Sequence, residues 1–346
     1  MEKILNVNIG SCKPLLSPDD LKSEISVSDS AYQTVITGRK TIKKILDKED
    51  SRIIAIVGPC SVHDYNCAME YAKELKKLQD RYKEKIVVVM RVYFEKPRTT
   101  VGWKGMILDP YMDGSCDIEE GLRRGRKLLA DINNLGLPCA TEALDPIVPQ
   151  YNSDLISWAA IGARTTESQT HREMSSGLSM PVGFKNGTDG SIKTAIDALI
   201  ASNHSHTFIG IDQVGQTSVL KTKGNKYGHV ILRGGRNGSN YGAKNILETE
   251  ELLEASKLNS SIIVDCSHAN SDKNYKNQGK VIKSIIAQKQ SGNSSIIGFM
   301  LESNLKEGNQ KIGDDLSKLE YGVSVTDQCI SISETEELLD LVYRSI

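Results

Sequence analysis

No stretch of this 346-residue chain is apolar for anything near the length of a membrane span, and its N-terminus, MEKILNVNIGSCK, has no signal-peptide core. An excess of one charge is missing too. Lys and Arg number 43 against 44 Asp and Glu, a formal net charge of −1, so the chain offers no general field for nucleic acid or an anionic membrane. Anion binding must therefore come from cations gathered locally. The seven cysteines are odd in number and scattered, with no CxxC pair, which argues against a disulfide framework. A cytoplasmic location is the expectation. Each cysteine is by default a small buried hydrophobe and gains a role only by its position. No glycine-rich GxGxxG turn follows the first strand, which disfavours a dinucleotide-binding doubly wound sheet.

What is present begins with residues 86–104. Ile86 to Met90 form a β-branched apolar run of the kind that becomes a strand buried on both faces. Arg91, Lys96, Pro97, Arg98, Thr99 and Thr100 follow. Pro97 cannot continue sheet pairing, so the strand gives way to a shaped loop. Three cations and two hydroxyls just past a strand end suit a phosphorylated or carboxylated substrate.

The rest of the chain has a βα rhythm. Strands are predicted at 53–57, 86–92, 138–142, 155–161, 182–185, 230–233, 262–265 and 296–301, with amphipathic helical stripes between most of them. Eight strands over roughly 250 residues are the size of a (β/α)8 TIM barrel, an α/β fold. We read 1–346 as a single barrel domain with an N-terminal arm over 1–50. The arm must bury its apolar residues against its own barrel or a neighbouring subunit. Helices are expected from the cap Ser17-Pro18-Asp19-Asp20 and over 31–46, and the last helix from a capping box at Ser333–Glu336. Residues 206–227 alternate around a short glycine-containing stretch and predict an inserted β-hairpin.

In a barrel the strand ends converge on one face, where active sites form. Those ends carry Arg91, Lys96, Arg98, Glu142, Arg164, Lys185 and Arg233. Six cations there roughly match the five or so negative charges of two phosphoryl groups and one carboxylate. Cys60, His268, Glu302 and Asp327 supply one sulfur, one imidazole and two carboxylates, a mixed set suited to an open catalytic metal site. Cys266 is a rival on strand alternation, because it shares a side with His268. Cys329 is another if its loop is extended.

With these motifs in view, the chain resembles the 3-deoxy-D-arabino-heptulosonate 7-phosphate (DAHP) synthases of the enteric-bacterial and yeast type. The resemblance rests on GPCSVHD (58–64), MRVYFEKPRTTVGWKG (90–105), GART (162–165), GFKNGTDG (183–190), HVILRGG (229–235), DCSHAN (265–270) and GFMLESNL (298–305). It implies condensation of phosphoenolpyruvate with erythrose 4-phosphate, the first step of the shikimate pathway. By motif, Arg91, Lys96, Arg164, Lys185 and Arg233 would hold phosphoenolpyruvate, with the Ala163 NH and Glu142 close by. Arg98 and Thr99 would receive the sugar phosphate. Cys60, His268, Glu302 and Asp327 would hold one divalent ion (manganese, iron, cobalt or zinc), and Lys96 would donate a proton. The resemblance also implies a homodimer or homotetramer. It implies an aromatic amino-acid pocket at Pro149, Gln150, Leu178, Ser179, Phe208, Gly210 and Leu220, with Gly210 and the hairpin text favouring tyrosine. The sister synthase acting on arabinose 5-phosphate carries a different motif in place of KPRT at 96–99. A barrel turned into a catalytically dead sensor would not be expected to keep Lys96, Arg98, Cys60 and His268.

Overall fold

Eight of the apolar runs become parallel strands, and pairing of the first with the last closes them into a barrel. The computed structural model describes residues 4–98 and 100–346. The barrel strands are β1 (Ile53–Gly58), β2 (Ile86–Arg91), β3 (Cys139–Glu142), β4 (Trp158–Ile161), β5 (Val182–Lys185), β8 (Gly228–Leu232), β9 (Ile262–Asp265) and β10 (Ile296–Asn304). The hairpin forms as expected. Its strands β6 (Thr207–Ile211) and β7 (Thr217–Lys221) pair antiparallel, with Phe208 opposite Leu220 and Gly210 opposite Ser218. A short β11 (Ile330–Ser331) pairs with the far end of β10.

The helices are α1 (Pro18–Glu24), α2 (Asp29–Leu46), α3 (Tyr65–Tyr82), α4 (Ile118–Asn134), α5 (Pro149–Asn152), α6 (Gln169–Gly177), α7 (Ile192–Ser202), α8 (Ala243–Ala255), α9 (Gln278–Gln290) and α10 (Ile332–Ser345). Three sequence expectations need correction. The fourth strand begins at Trp158, because Ser153–Leu155 winds into a 3-10 turn. The eighth strand does not stop at Leu301 but runs on to Asn304, where β11 supplies a partner. The cap of α10 is Ser331, whose hydroxyl accepts the Glu334 N–H, so the helix is capped two residues before Ser333 and by a single N-cap bond.

Strand alternation sorts the core into two layers. Ile53, Ala55, Val57, Val88 and Met90 face the helices. Ile54, Ile56, Val87, Val89, Ala140, Trp158, Ala160, Ile231, Ile263 and Met300 fill the barrel. The arm divides. Ile42, Ile45 and Leu46 of α2 are buried with the barrel-interior layer, and Leu21 of α1 joins the outer layer. Ile4, Leu5, Val7 and Ile9 stay exposed. No helix among the described residues is long and apolar enough to cross a membrane.

Candidate active site

The interior rows that are apolar low in the barrel become ionic at its C-terminal mouth. Val87 and Val89 lead up to Arg91, Ala140 to Glu142, Ile231 toward Arg233, Ile263 to Asp265, and Met300 to Glu302. A strand period of two forces this, because residues two apart share a face. The result is a cavity of about 320 Å³ at the mouth. Its lining includes Lys96, Arg98, Glu142, Ala163, Arg164, Lys185, Arg233, His268 and Asp327. Thr99 lies outside the described residues.

The six cations are not equivalent. Arg91 is buried and donates to Glu302 Oε1 at 3.1 Å and to the Pro59 carbonyl at 3.3 Å. Lys185 is buried 2.9 Å from Asp265 Oδ2. Among the described residues, no carboxylate lies within 4.0 Å of Lys96, Arg98, Arg164 or Arg233 (all other ion pairs are elsewhere). These four line the cavity with uncompensated charge. Arg233 is held below its ordinary pKa, by burial first and then by Arg164 among its neighbours, despite the pull of Asp265. Both guanidiniums line the same cavity, where an anion would offset their mutual repulsion.

Beneath these cations, Cys60, Glu302 and Asp327 each offer a ligand atom, all within 4.8 Å of one another. Cys60 Sγ is 3.6 Å from Asp327 Oδ2 and 3.1 Å from Lys96 Nζ. Burial pushes the Cys60 thiol up to about 12, and Glu302 adds to the effect. A thiolate there needs a cation against it, as a divalent ion bound by this donor set would provide. His268 Nε2 lies 3.9 Å from Glu302 Oε1, while Nδ1 faces Asp265 Oδ2 at 3.0 Å. Glu302 is fixed from three sides. Arg91 holds Oε1, the Ser267 hydroxyl donates to Oε2 at 2.7 Å, and the Gln278 amide bonds both its backbone groups. Its carboxyl lies below the usual range: burial works the other way, but His268, Arg91 and Lys96 outweigh it.

Cys266 does not join the cluster. It is fully buried in the outer layer, and His268 adopts φ 57°, which breaks strand alternation and turns the imidazole into the mouth. Cys329 is buried with Sγ 3.7 Å from the Asp327 carbonyl and does not join the cluster.

Sequence reasoning missed the supports. Asp265 sits between Lys185 and His268. Asn186, Asn240 and Asn270 form a buried network: Asn186 Oδ1 accepts the Arg233 N–H, and Asn270 Nδ2 donates to the Leu232 and Asp265 carbonyls. Two of these asparagines directly follow or closely follow motif cations and acids, in KNG and SHAN, which was the available signal. Gly162 also matters, since a Cβ there would meet Glu142 Oε1 at 2.2 Å.

The residues proposed for an inhibitor pocket are partly gathered. Gln213 at the hairpin tip donates to Gln150 Oε1 at 2.8 Å, and Thr222 bonds Ser176 near the end of α6. Phe208, Gly210 and Leu220 share the half-buried hairpin face, Pro149 and Leu178 line a small internal void, and Ser179 is exposed.

Known proteins place the chain. It is 52% identical over 341 residues to the Tyr-sensitive phospho-2-dehydro-3-deoxyheptonate aldolase of Escherichia coli, covering 99% of this chain and 96% of that one. The Phe-sensitive enzyme of the same organism is 50% identical over 334 residues, 96% of this chain and 95% of that one. The solved phospho-2-dehydro-3-deoxyheptonate aldolase of Francisella tularensis superposes with a TM-score of 0.96 at 44% identity over 98% of both chains. The DAHP synthetase I family matches residues 25–340, and with that match over nearly the whole barrel, the chain belongs to this family.

Proposed function

We propose that the protein is a DAHP synthase, which condenses phosphoenolpyruvate with erythrose 4-phosphate and releases phosphate at the entry to the shikimate pathway. The observation that carries this reading is the ring of four cations without carboxylate partners above the Cys60–Glu302–Asp327 cluster. Arg164 and Arg233 grip the phosphate and carboxylate of phosphoenolpyruvate, with Lys185, Lys96 and the Ala163 N–H. Arg91 Nη1, buried without a partner among the described residues, is a donor left over for the same substrate. Arg98 and Thr99 receive the sugar phosphate. Cys60, His268, Glu302 and Asp327 would hold the divalent ion, which when bound supplies Lewis acidity to the aldehyde oxygen.

The enol carbon then attacks the aldehyde carbon. Lys96 protonates the resulting alkoxide in this reading, giving the alcohol. Burial alone would discharge Lys96, but Cys60, Glu302 and Glu142 hold its pKa above the ordinary value, so it rests charged. Glu142, in the cavity wall, accepts a proton from the water that adds at the enol ether carbon. Loss of phosphate completes the turnover. Most of the acceleration comes from holding two anions in attack geometry.

A phosphate-release assay offering erythrose 4-phosphate or arabinose 5-phosphate tests the reading. Turnover with the five-carbon sugar alone would overturn it. In the same assay Arg164→Ala is expected to raise the KM for phosphoenolpyruvate about tenfold to a hundredfold, the worth of one charged hydrogen bond, and to leave that for the sugar nearly unchanged. Equal effects on both would contradict the assignment.

An aromatic amino acid, tyrosine, is the feedback inhibitor in this reading, at Pro149, Gln150, Leu178, Ser179, Phe208, Gly210 and Leu220. Relatives sensitive to tyrosine and to phenylalanine are almost equally similar, so identity does not choose between them. Gly210 does. A Cβ there would stand 2.6 Å from Leu220 Cδ1, so any larger residue narrows the face. Inhibition by phenylalanine alone, with each of the three amino acids tried at millimolar concentration, would refute the choice. The outer hairpin face leaves Ile209 79% and Val219 75% exposed, and the arm leaves Ile4, Leu5, Val7 and Ile9 uncovered. Such surfaces support a homodimer or homotetramer. Sedimentation at micromolar concentration is expected to show it, and monomer alone would count against it. All seven cysteines are free, which suits the reducing cytoplasm.

A further inference from the structure

Glu95 is a buried carboxylic acid that the reaction above does not use. It immediately precedes Lys96. Its Oε1 accepts the Asp145 N–H at 3.2 Å, and the Leu144 N–H is also directed at it. Asp145 in turn shapes the approach to α5. Its carboxylate accepts the N–H groups of Ile147, at 2.7 Å, and Val148, at 3.2 Å, directly before Pro149. The Leu144 carbonyl accepts from His171 Nε2 at 2.7 Å, and His171 belongs to α6, the helix that ends against Leu178. The Leu144–Asp145 pair is thus bonded to the Glu95 carboxyl on one side and to α6 on the other.

Little free space lies between Glu95 and the Pro149 end of α5. Glu95, Glu142, Pro149 and Leu178 all line one small void of about 20 Å³. That is room for one water at most.

We propose that Glu95 is the positioning residue through which the inhibitor pocket acts on Lys96, by tying the Leu144–Asp145 turn to the catalytic loop. This rests on the inhibitor reading given above. An inhibitor that shifts the Pro149 end of the turn drags Glu95 with it and takes Lys96 out of line with the aldehyde. The role requires an acceptor, not a charge. Burial, with Asp145 and Glu142 adding like charge, pushes the Glu95 carboxyl up to about 8, so it is mostly neutral at pH 7 and glutamine imitates it.

The test compares wild type, Glu95→Gln and Glu95→Leu. Leucine keeps the volume and removes the acceptor. Calorimetry measures binding of tyrosine, phenylalanine and tryptophan, and initial rates give each protein's inhibited rate relative to its own uninhibited rate. Tyrosine binding is expected within about threefold across the three proteins. The residual rate at saturating tyrosine is expected to rise at least about fivefold in Glu95→Leu, the low end of typical coupling factors, and to stay within about twofold of wild type in Glu95→Gln. Undiminished inhibition in Glu95→Leu, or equal loss in both variants, overturns the proposal. Absence of any aromatic amino-acid binding to wild type overturns the inhibitor reading itself, and the coupling with it. Should Glu95→Leu fail to fold, His171→Phe breaks the second bond to Leu144 and is expected to relieve inhibition in the same direction; full inhibition there sinks the proposal.

Discussion

Replacing Cys60 with alanine is expected to lower turnover by at least about a hundredfold, because Lewis-acid stabilisation of a developing alkoxide is worth several kcal/mol. The loss is expected without unfolding. Cys60 is fully buried, but its thiol packs among charged groups at the mouth, beside Lys96 and Asp327. Trimming one sulfur leaves the apolar layers intact. Two readouts are needed together. Metal content by atomic absorption is expected to fall, and phosphate release to stay near background when manganese, iron, cobalt or zinc is added. A variant with full activity and no bound metal would sink the whole ligand assignment.

The second large effect is on stability. Asp265→Asn is expected to cost about 3–5 kcal/mol at neutral pH, the usual result of removing one member of a buried ion pair. Asp265 is fully buried, and it faces Lys185 at 2.9 Å and His268 at 3.0 Å. Asparagine keeps the shape but leaves the Lys185 ammonium without its counter-charge. The pH dependence has a definite sign. Burial would raise the Asp265 pKa, yet Lys185 and His268 hold it well below the carboxylate range. A depressed native pKa gives stability that is present above the unfolded value, near 3.9, and fades as pH falls through the native value. The gap in urea midpoint between wild type and variant is therefore expected to be full at pH 7 and to narrow only below about pH 4. An equal midpoint at pH 7 would show that the pair contributes nothing.

The barrel was readable because its strands are apolar on both faces. Runs such as Ile53–Val57 and Ile262–Val264 admit little else once helical stripes separate them. The cationic mouth was readable for a related reason, since the first charge after such a run must lie at a strand end. Pairing was not readable. Nothing in the order of residues says that Arg91 meets Glu302, 211 positions away, or that Lys185 meets Asp265, 80 positions away. Those contacts come from the closed register, which sets Gly58 beside Glu302 and Met300 beside Asp265. His268 shows the same limit locally. Alternation put Cys266 on its side, and one left-handed residue cancelled the rule. The Ser331 cap was missed because Ser333 offered an equally good pattern two residues later.

Closure of β1 against β10 also sets a timetable for synthesis. The partner of Ile54 is Gly298, roughly 240 residues further along the message. At about 5–20 residues per second, the ribosome leaves that edge of β1 unpaired for some tens of seconds. Meanwhile β1 to β5 emerge as a growing parallel sheet with both apolar edges, at β1 and at β5, unpaired. The nascent chain therefore spends most of its translation in a form that can pair with another copy, and crowded overexpression should favour inclusion bodies over slow, cool induction.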